Sequence, residues 1–348
     1  MKHRSSGRIG LVSLLAFVAA MTGFAPSAAA AAAAPYEFAS PVFGLAAGPG
    51  NVLFAAESGA GVVRLEGGEG QVVVELPGAV DVAPVRPGLM WAVGNKKLYR
   101  VVKQEPRQLV SLGKFEKVVN PDGAEINPNP FDLAALGSKR VLIADAGANT
   151  LLVGNKRGGL DWIATLPNEV VPTDNIKALV GCPDAPPDFA EFCELPEAIP
   201  GQAVATSVAV GPDGAYYVTE LKGFPAPRGE SRIWRIEPGT RHVHCEADVV
   251  DSPCSVVADG FTSIVDLTFA PDGTAYVVEL DEASWFAVEV LTDAMEGGTV
   301  NECDSTTWTC TEAATELTVP MAVAVNDAGP FVVVSALIPG ETQVIPVA

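Results

Sequence analysis

Histidine is almost missing from this chain: three occur in 348 residues, and one of them, His3, lies in the N-terminal leader. His242 and His244 are left, spaced i, i+2, with Glu246 close by as a third possible metal ligand. No H-E-x-x-H, no G-x-S-x-G and no phosphate-loop or dinucleotide glycine pattern follows a strand, so zinc proteolysis, serine hydrolysis and nucleotide chemistry have no signature here. No C-x-x-C occurs, which removes the usual zinc ribbon. The calcium-loop consensus is also absent, because the Pro-Asp-Gly turns at 121–123, 212–214 and 271–273 are too short for one. Basic charge is scarce as well. The 22 Lys and Arg face 42 Asp and Glu, and removing Lys2, Arg4 and Arg8 with the leader brings the net charge near −23. Such a surface repels nucleic acid and anionic lipid and leaves small molecules, polysaccharides or proteins as partners. Helical periodicity is rare, and its best candidate is Asp188 to Leu195. No long Pro/Ser linker divides the chain, which argues against two domains.

What is present begins with a leader. A basic n-region, an apolar stretch from Ile9 to Met21 and small residues from Ser27 to Ala34 read as a signal peptide over residues 1–34. The apolar part is short for a membrane span, and no later segment resembles one. A secreted or extracytoplasmic protein is expected, with residues 35–348 forming one domain.

Export permits disulfides. The six cysteines lie in the second half as three local pairs, suggesting Cys182–Cys193, Cys245–Cys254 and Cys303–Cys310 among fifteen possible connectivities.

A hairpin phrase recurs along this stretch. Ser207 to Glu220 reads apolar strand, Pro-Asp-Gly turn, apolar strand, acid; Val265 to Glu279 repeats it, and Pro130 to Asp145 is a looser copy. Related units begin at Phe43, Val80 and Met321, giving six. One such hairpin cannot bury its apolar face alone, whereas several can by stacking. Six units averaging about fifty residues predict an all-β, six-bladed β-propeller. Tyr36 to Ala39 is placed to close the last blade with the C-terminal strand. A β-sandwich is the rival architecture. The segments Pro167 to Ala203 and Arg241 to Ala258 read as long loops, the first being the stretch expected to shape a surface pocket.

Candidate chemistry rests on carboxylates. Glu57, Asp145, Glu220 and Glu279 close the second strand of four hairpins, and Gly94 and Ser335 stand there in the others. Converging near the axis, they would raise one another's pKa unless a cation such as Ca or Mg neutralised them. Otherwise they bond turn amides. Asp132 and Asp266 share a position in the first strand, matched elsewhere to Gly44, Asp81, Val208 and Ala322. That position reads as architecture. Asn127, Asn129, Thr206, Ser207, Thr262 and Ser263 precede or open inner strands and are placed to rim one mouth.

The segments Asn129-Pro-Phe-Asp-Leu-Ala-Ala-Leu and Val141-Leu-Ile-Ala-Asp-Ala-Gly-Ala-Asn149 resemble the ScyD/ScyE family of exported proteins built from NHL-like repeats. So do Thr206 to Pro225, with its Glu-Leu-Lys-Gly-Phe-Pro stretch, Ser231 to Gly239 and Gly260 to Gly273. The resemblance covers nearly the whole mature chain and implies an exported six-bladed propeller. It carries over no catalytic set. Gly-Asn-Lys-Arg at 154–157 departs from the family's usual Arg-Val-Asp-x, and the Cys-bearing insertions look like elaborations. A monomeric binding or scaffold propeller is therefore the leading expectation. A metal-assisted hydrolase, lactonase or oxidoreductase and a structural envelope protein are the alternatives.

Overall fold

The computed structural model describes residues 36, 38–247, 249–338 and 340–347; the expected leader, residues 1–34, lies outside them. The recurring phrase folds as expected. In the Pro-Asp-Gly turns, Gly214 and Gly273 take φ of +80° and +95°, a region where glycine carries no Cβ penalty. The preceding aspartate fixes the turn. Asp213 and Asp272 each accept the N–H of the residue two positions on, Ala215 and Thr274, at 3.0 Å.

Six antiparallel sheets form the ring. Blade 1 is Val42–Gly48, Val52–Glu57, Gly61–Glu66 and Glu69–Glu75, and blade 2 is Ala79–Arg86, Leu89–Gly94, Lys97–Val102 and Glu105–Ser111. Blade 3 is Pro130–Leu136, Arg140–Asp145, Thr150–Asn155 and Leu160–Thr165, with the short strand Val243–His244 added in parallel to its outer edge. Blade 4 is Ala205–Val210, Tyr216–Glu220, Ser231–Ile236 and Cys254–Phe261. Blade 5 is Ile264–Phe269, Thr274–Glu279, Gly298–Asp304 and Cys310–Leu317. Blade 6 has three strands, Val323–Asn326, Gly329–Val334 and Gln343–Pro346. The first strand of each blade packs on the next, and that of blade 6 on that of blade 1, so the ring is closed.

At the closure Phe38 N–H donates to Thr342 O at 3.2 Å, and the Phe38 ring is buried among Val42, Val323, Val332 and Val333. Elsewhere the core is made between neighbouring sheets. Trp91 and Trp234, both fully buried, anchor the 2–3 and 3–4 interfaces. Each such aliphatic or aromatic group contributes about 1.5–3 kcal/mol by leaving water.

The connections after second and fourth strands share one face, here the upper face. It carries the elaborations. Residues 167–204 hold the hairpin Glu169–Pro172 with Ala198–Gly201, the α-helix Asp174–Leu179 and the 3-10 helix Pro187–Glu194, where helical structure was expected. Two helices lacked a readable periodicity, Leu112–Val119 and Trp285–Glu289. Of the second expected loop, Cys254 to Ala258 is instead outer strand of blade 4. All three expected disulfides are present, with Cα separations of 5.5, 5.5 and 4.0 Å in chain order. They fit an oxidising, extracellular environment. Among the described residues no helix is long and apolar enough to cross a membrane.

Candidate functional site

The inner strands of blades 1 to 5 each carry a bulge at one position, and it turns Gly44, Asp81, Asp132, Ser207 and Asp266 toward the axis. This corrects the sequence alignment, which put Val208 in the place that Ser207 holds. The bulge consumes one residue, and a shift of one exchanges the two faces of a strand.

Each polar side chain here accepts the amide of the next blade. Leu133 N–H bonds Asp81 at 2.9 Å, Val208 N–H bonds Asp132 at 2.7 Å, Leu267 N–H bonds Ser207 Oγ at 3.1 Å, and Val323 N–H bonds Asp266 at 2.7 Å. Ser207 Oγ also lies 2.6 Å from Asp132 and 2.8 Å from Asp266. A hydroxyl has one proton, so one of these two contacts is a carboxyl donating to Ser207. Burial first, then the Asp132 charge, pushes the Asp266 carboxyl up to about 8. Asp81 is raised well above the usual range by burial and by Asp132, and Asp132 is raised chiefly by burial. Asp81, Asp132 and Asp266 line a channel cavity of about 450 Å³.

Glu57, Asp145, Glu220 and Glu279 do not share partners. Three of them hold the start of the inner strand in their own blade. Glu57 accepts Ala39 N–H and Ser40 N–H at 3.0 and 3.1 Å, and Asp145 accepts Asn129 N–H at 2.6 Å. Glu279 accepts Thr262 N–H and, at 2.6 Å, the Asn301 amide. Burial pushes Asp145 up to about 6 and Glu279 up to about 7. In blade 4 the corresponding amide, Val204 N–H, is taken by Asn149 Oδ1 at 2.8 Å. Glu220 turns instead to Lys222 Nζ at 2.9 Å. Both side chains are fully buried, and burial raises the Glu220 carboxyl to about 7 against the pull of Lys222. Among the described residues no three of His, Cys, Asp and Glu form a group able to hold a metal.

Lys222 is the residue that sequence reasoning passed over. It sits in the Glu-Leu-Lys-Gly-Phe-Pro stretch, and its Nζ also meets Glu169, which pairs with Arg232. Glu169 belongs to the insertion hairpin, so this ion cluster joins the insertion to blade 4. Above it the disulfide-closed segment packs as a small core: Phe192 lies 5.9 Å from Phe286 and 5.7 Å from Phe224, and Trp285 Nε1 donates to Lys222 O at 3.0 Å. The Cys182–Cys193 loop thus helps to build a cap over blades 4 and 5. Exposed apolar side chains collect on the same face: Val118, Ile126, Val170, Phe224, Val290 and Met295.

The two histidines do not meet on one ligand position. His242 stacks on Trp162 at 4.9 Å and bonds Asp161 at 2.7 Å, whereas His244 Nδ1 bonds Thr165 Oγ1 at 2.7 Å. Most of the expected rim groups are used internally. Thr206 Oγ1 donates to Ile264 O at 2.7 Å, Thr262 Oγ1 accepts Gly229 N–H at 3.1 Å, and Ser263 Oγ accepts Trp285 N–H at 2.9 Å.

No protein-family model and no curated protein matches the sequence. Solved structures do resemble the fold. A structural-genomics protein of unknown function from Bacteroides thetaiotaomicron aligns with a TM-score of 0.55 at 12% identity, over 90% of this chain and 71% of that one. The PQQ-bound aldose sugar dehydrogenase of Streptomyces coelicolor aligns at 0.50 and 12% identity, over 89% and 96%. Virginiamycin B lyase from Staphylococcus aureus aligns at 0.48 and 13% identity, over 88% and 85%. At such identities the likeness extends to the fold alone. The protein is a six-bladed β-propeller.

Proposed function

We propose that this is an exported binding or scaffold propeller of the ScyD/ScyE type that engages a small molecule, polysaccharide or protein through its upper face. One observation carries the reading. The carboxylates that sequence offered for chemistry are engaged by backbone amides, by Ser207 or by Lys222. Groups tied in this way hold the ring in shape, and the cap is the element added to it. The three disulfides and the basic–apolar leader support export. The enzyme alternative draws on Glu220 and Glu279, whose carboxyls are raised to about 7. It needs a cation or cofactor beside them, and Glu279 lines a cavity of about 480 Å³ together with Glu282, Asn301 and Glu312. A structural envelope protein remains the third reading.

Charge placed on the upper face tests the proposal. Val170 is 73% exposed and Val290 44% exposed, so Val170→Glu and Val290→Glu leave the fold intact. Purified protein is screened by thermal shift and glycan microarray. A ligand whose binding weakens about tenfold or more in these variants, with unchanged melting temperature, supports the reading. Turnover of a substrate that Glu220→Gln abolishes without loss of binding overturns it in favour of an enzyme.

A further inference from the structure

The helix Leu112–Val119 closes the connection from blade 2 to blade 3, with Leu112 and Glu116 on its buried side. A glutamate where an apolar residue would pack is a local inconsistency that costs stability unless something pairs with it. Glu116 is only 2% exposed, and its Oε1 has no hydrogen-bond partner among the described residues. The charges acting on it have the wrong sign. Besides burial, Asp145 and Asp122 both disfavour its ionised form. Lys96 acts on Asp145.

A second orphan acceptor belongs to the same turn. Asn120 caps the helix, its N–H returning to Glu116 O at 2.9 Å, and its Oδ1 is also buried without a partner. The following turn folds back over this corner. Asn120 Nδ2 donates to Ala124 O at 3.0 Å, and Asp122 accepts Ala124 N–H at 3.0 Å and the Asn149 amide at 3.3 Å. Asp145 arrives from blade 3 with Asn129 N–H on one oxygen. Two buried oxygens therefore lack a donor, in a corner that holds three carboxylates.

We propose that this corner binds a hard divalent cation, Ca²⁺, through Glu116 Oε1 and Asn120 Oδ1, with Asp145 as the second carboxylate. Backbone carbonyls and water complete the shell. An all-oxygen set disfavours soft metals. Its irregular mix of carboxylate and amide suits Ca²⁺, which accepts 6–8 ligands flexibly, better than the strict octahedron of Mg²⁺. With so few protein carboxylates, affinity falls in the range of about 10⁻⁴–10⁻³ M found in extracellular modules. The site lies in the upper-face connection that also carries Val118 and Ile126. It would lock the 112–129 connection onto blade 3.

The test uses protein purified after export, stripped with EGTA and titrated with CaCl₂ by calorimetry and thermal unfolding. One Ca²⁺ per chain and a raised melting temperature are expected. Glu116→Gln and Asn120→Ala should each weaken binding more than about tenfold, while Glu57→Gln leaves it unchanged. If Glu116→Gln does not fold, Asn120→Ala carries the test. Absence of a stoichiometric response to CaCl₂ overturns the proposal, as does unaltered affinity in both variants. So does a Glu116→Gln protein that is more stable in EGTA while wild type ignores CaCl₂, because that describes a carboxyl kept neutral by burial.

Discussion

The arc from blade 2 to blade 6 and the seam around blade 1 hold the same ring by different physics. Along the arc, four side chains at one bulge position accept amides from the next blade: Asp81, Asp132, Ser207 and Asp266. At the seam the position holds Gly44, and blade 6 contributes Ala322, so neither neighbour of blade 1 is tied this way. Gly44 has a reason: a Cβ there would lie 2.1 Å from Asp81 Oδ1 and 2.8 Å from its Cα. Blade 1 approaches the axis by backbone and is held by apolar burial around Phe38, Val42, Val323 and Val332. The elaborations follow the same divide. All three disulfides and the cap lie in blades 3 to 5 or their insertions. Burial is non-directional and tolerates the joining of distant chain ends, whereas amide-to-carboxylate bonds demand one register.

The largest expected effect breaks the seam. Phe38→Ala should cost about 3–5 kcal/mol in urea unfolding, as a buried aromatic deletion does. A loss under about 1 kcal/mol would mean the closure does not depend on this ring. Next comes the arc. Asp132→Ala removes the acceptor of Val208 N–H and of Ser207 and should cost about 2–3 kcal/mol. Asp132→Asn should cost less, since it keeps an acceptor for Val208 N–H. The reverse order would show that the charge itself stabilises the arc.

Cys245→Ser with Cys254→Ser opens a loop of separation 9 in the elaborated half. It should lower stability by about 2–3 kcal/mol on the loop-entropy account, with blades 1 and 2 keeping their hydrogen-exchange protection. Loss of protection across the whole ring would argue that the two regions unfold as one.

pH gives the finest contrast. Asp266 is raised to about 8 and Asp145 to about 6 in the folded protein, against about 3.9 for an unfolded aspartate. The folded state then holds more protons than the unfolded one, so stability is full below about pH 4 for these groups and falls as pH rises toward 8. The melting temperature in metal-free buffer should drop several degrees, roughly 4–8 °C per kcal/mol for a small domain and less for a chain of this size, between pH 5 and pH 8. Phe38→Ala should lower both values equally. Asp132→Asn should flatten the slope, and an unaltered slope would remove the axial carboxyls as its source.

Much of the ring was legible because its signals are local. Pro-Asp-Gly with a glycine at positive φ joins the first two strands of blades 4 and 5, and six copies of the strand–turn–strand unit give six blades. The cysteine pairs were legible for the same reason, being close in sequence. The site was legible only in part. Asp132 and Asp266 were matched, and Ser207 was seen as a rim residue, yet the hub role of Ser207 depends on a bulge that no residue type announces. Glu220 looked like Glu57 and Asp145. Its pairing with Lys222 follows from Asn149 of another blade taking the amide of Val204, an event 55 residues away in sequence.

By itself the sequence determined how often the chain turns, which strands are apolar and how many blades they make, because these depend on neighbours a few residues apart. Tertiary structure alone decided which carboxylates are bonded across blades, which stand alone, and where Glu116 and Lys222 are buried. Those outcomes depend on bulge register and on contacts between distant segments. A one-residue shift reverses which face a side chain occupies, and no local propensity encodes that choice.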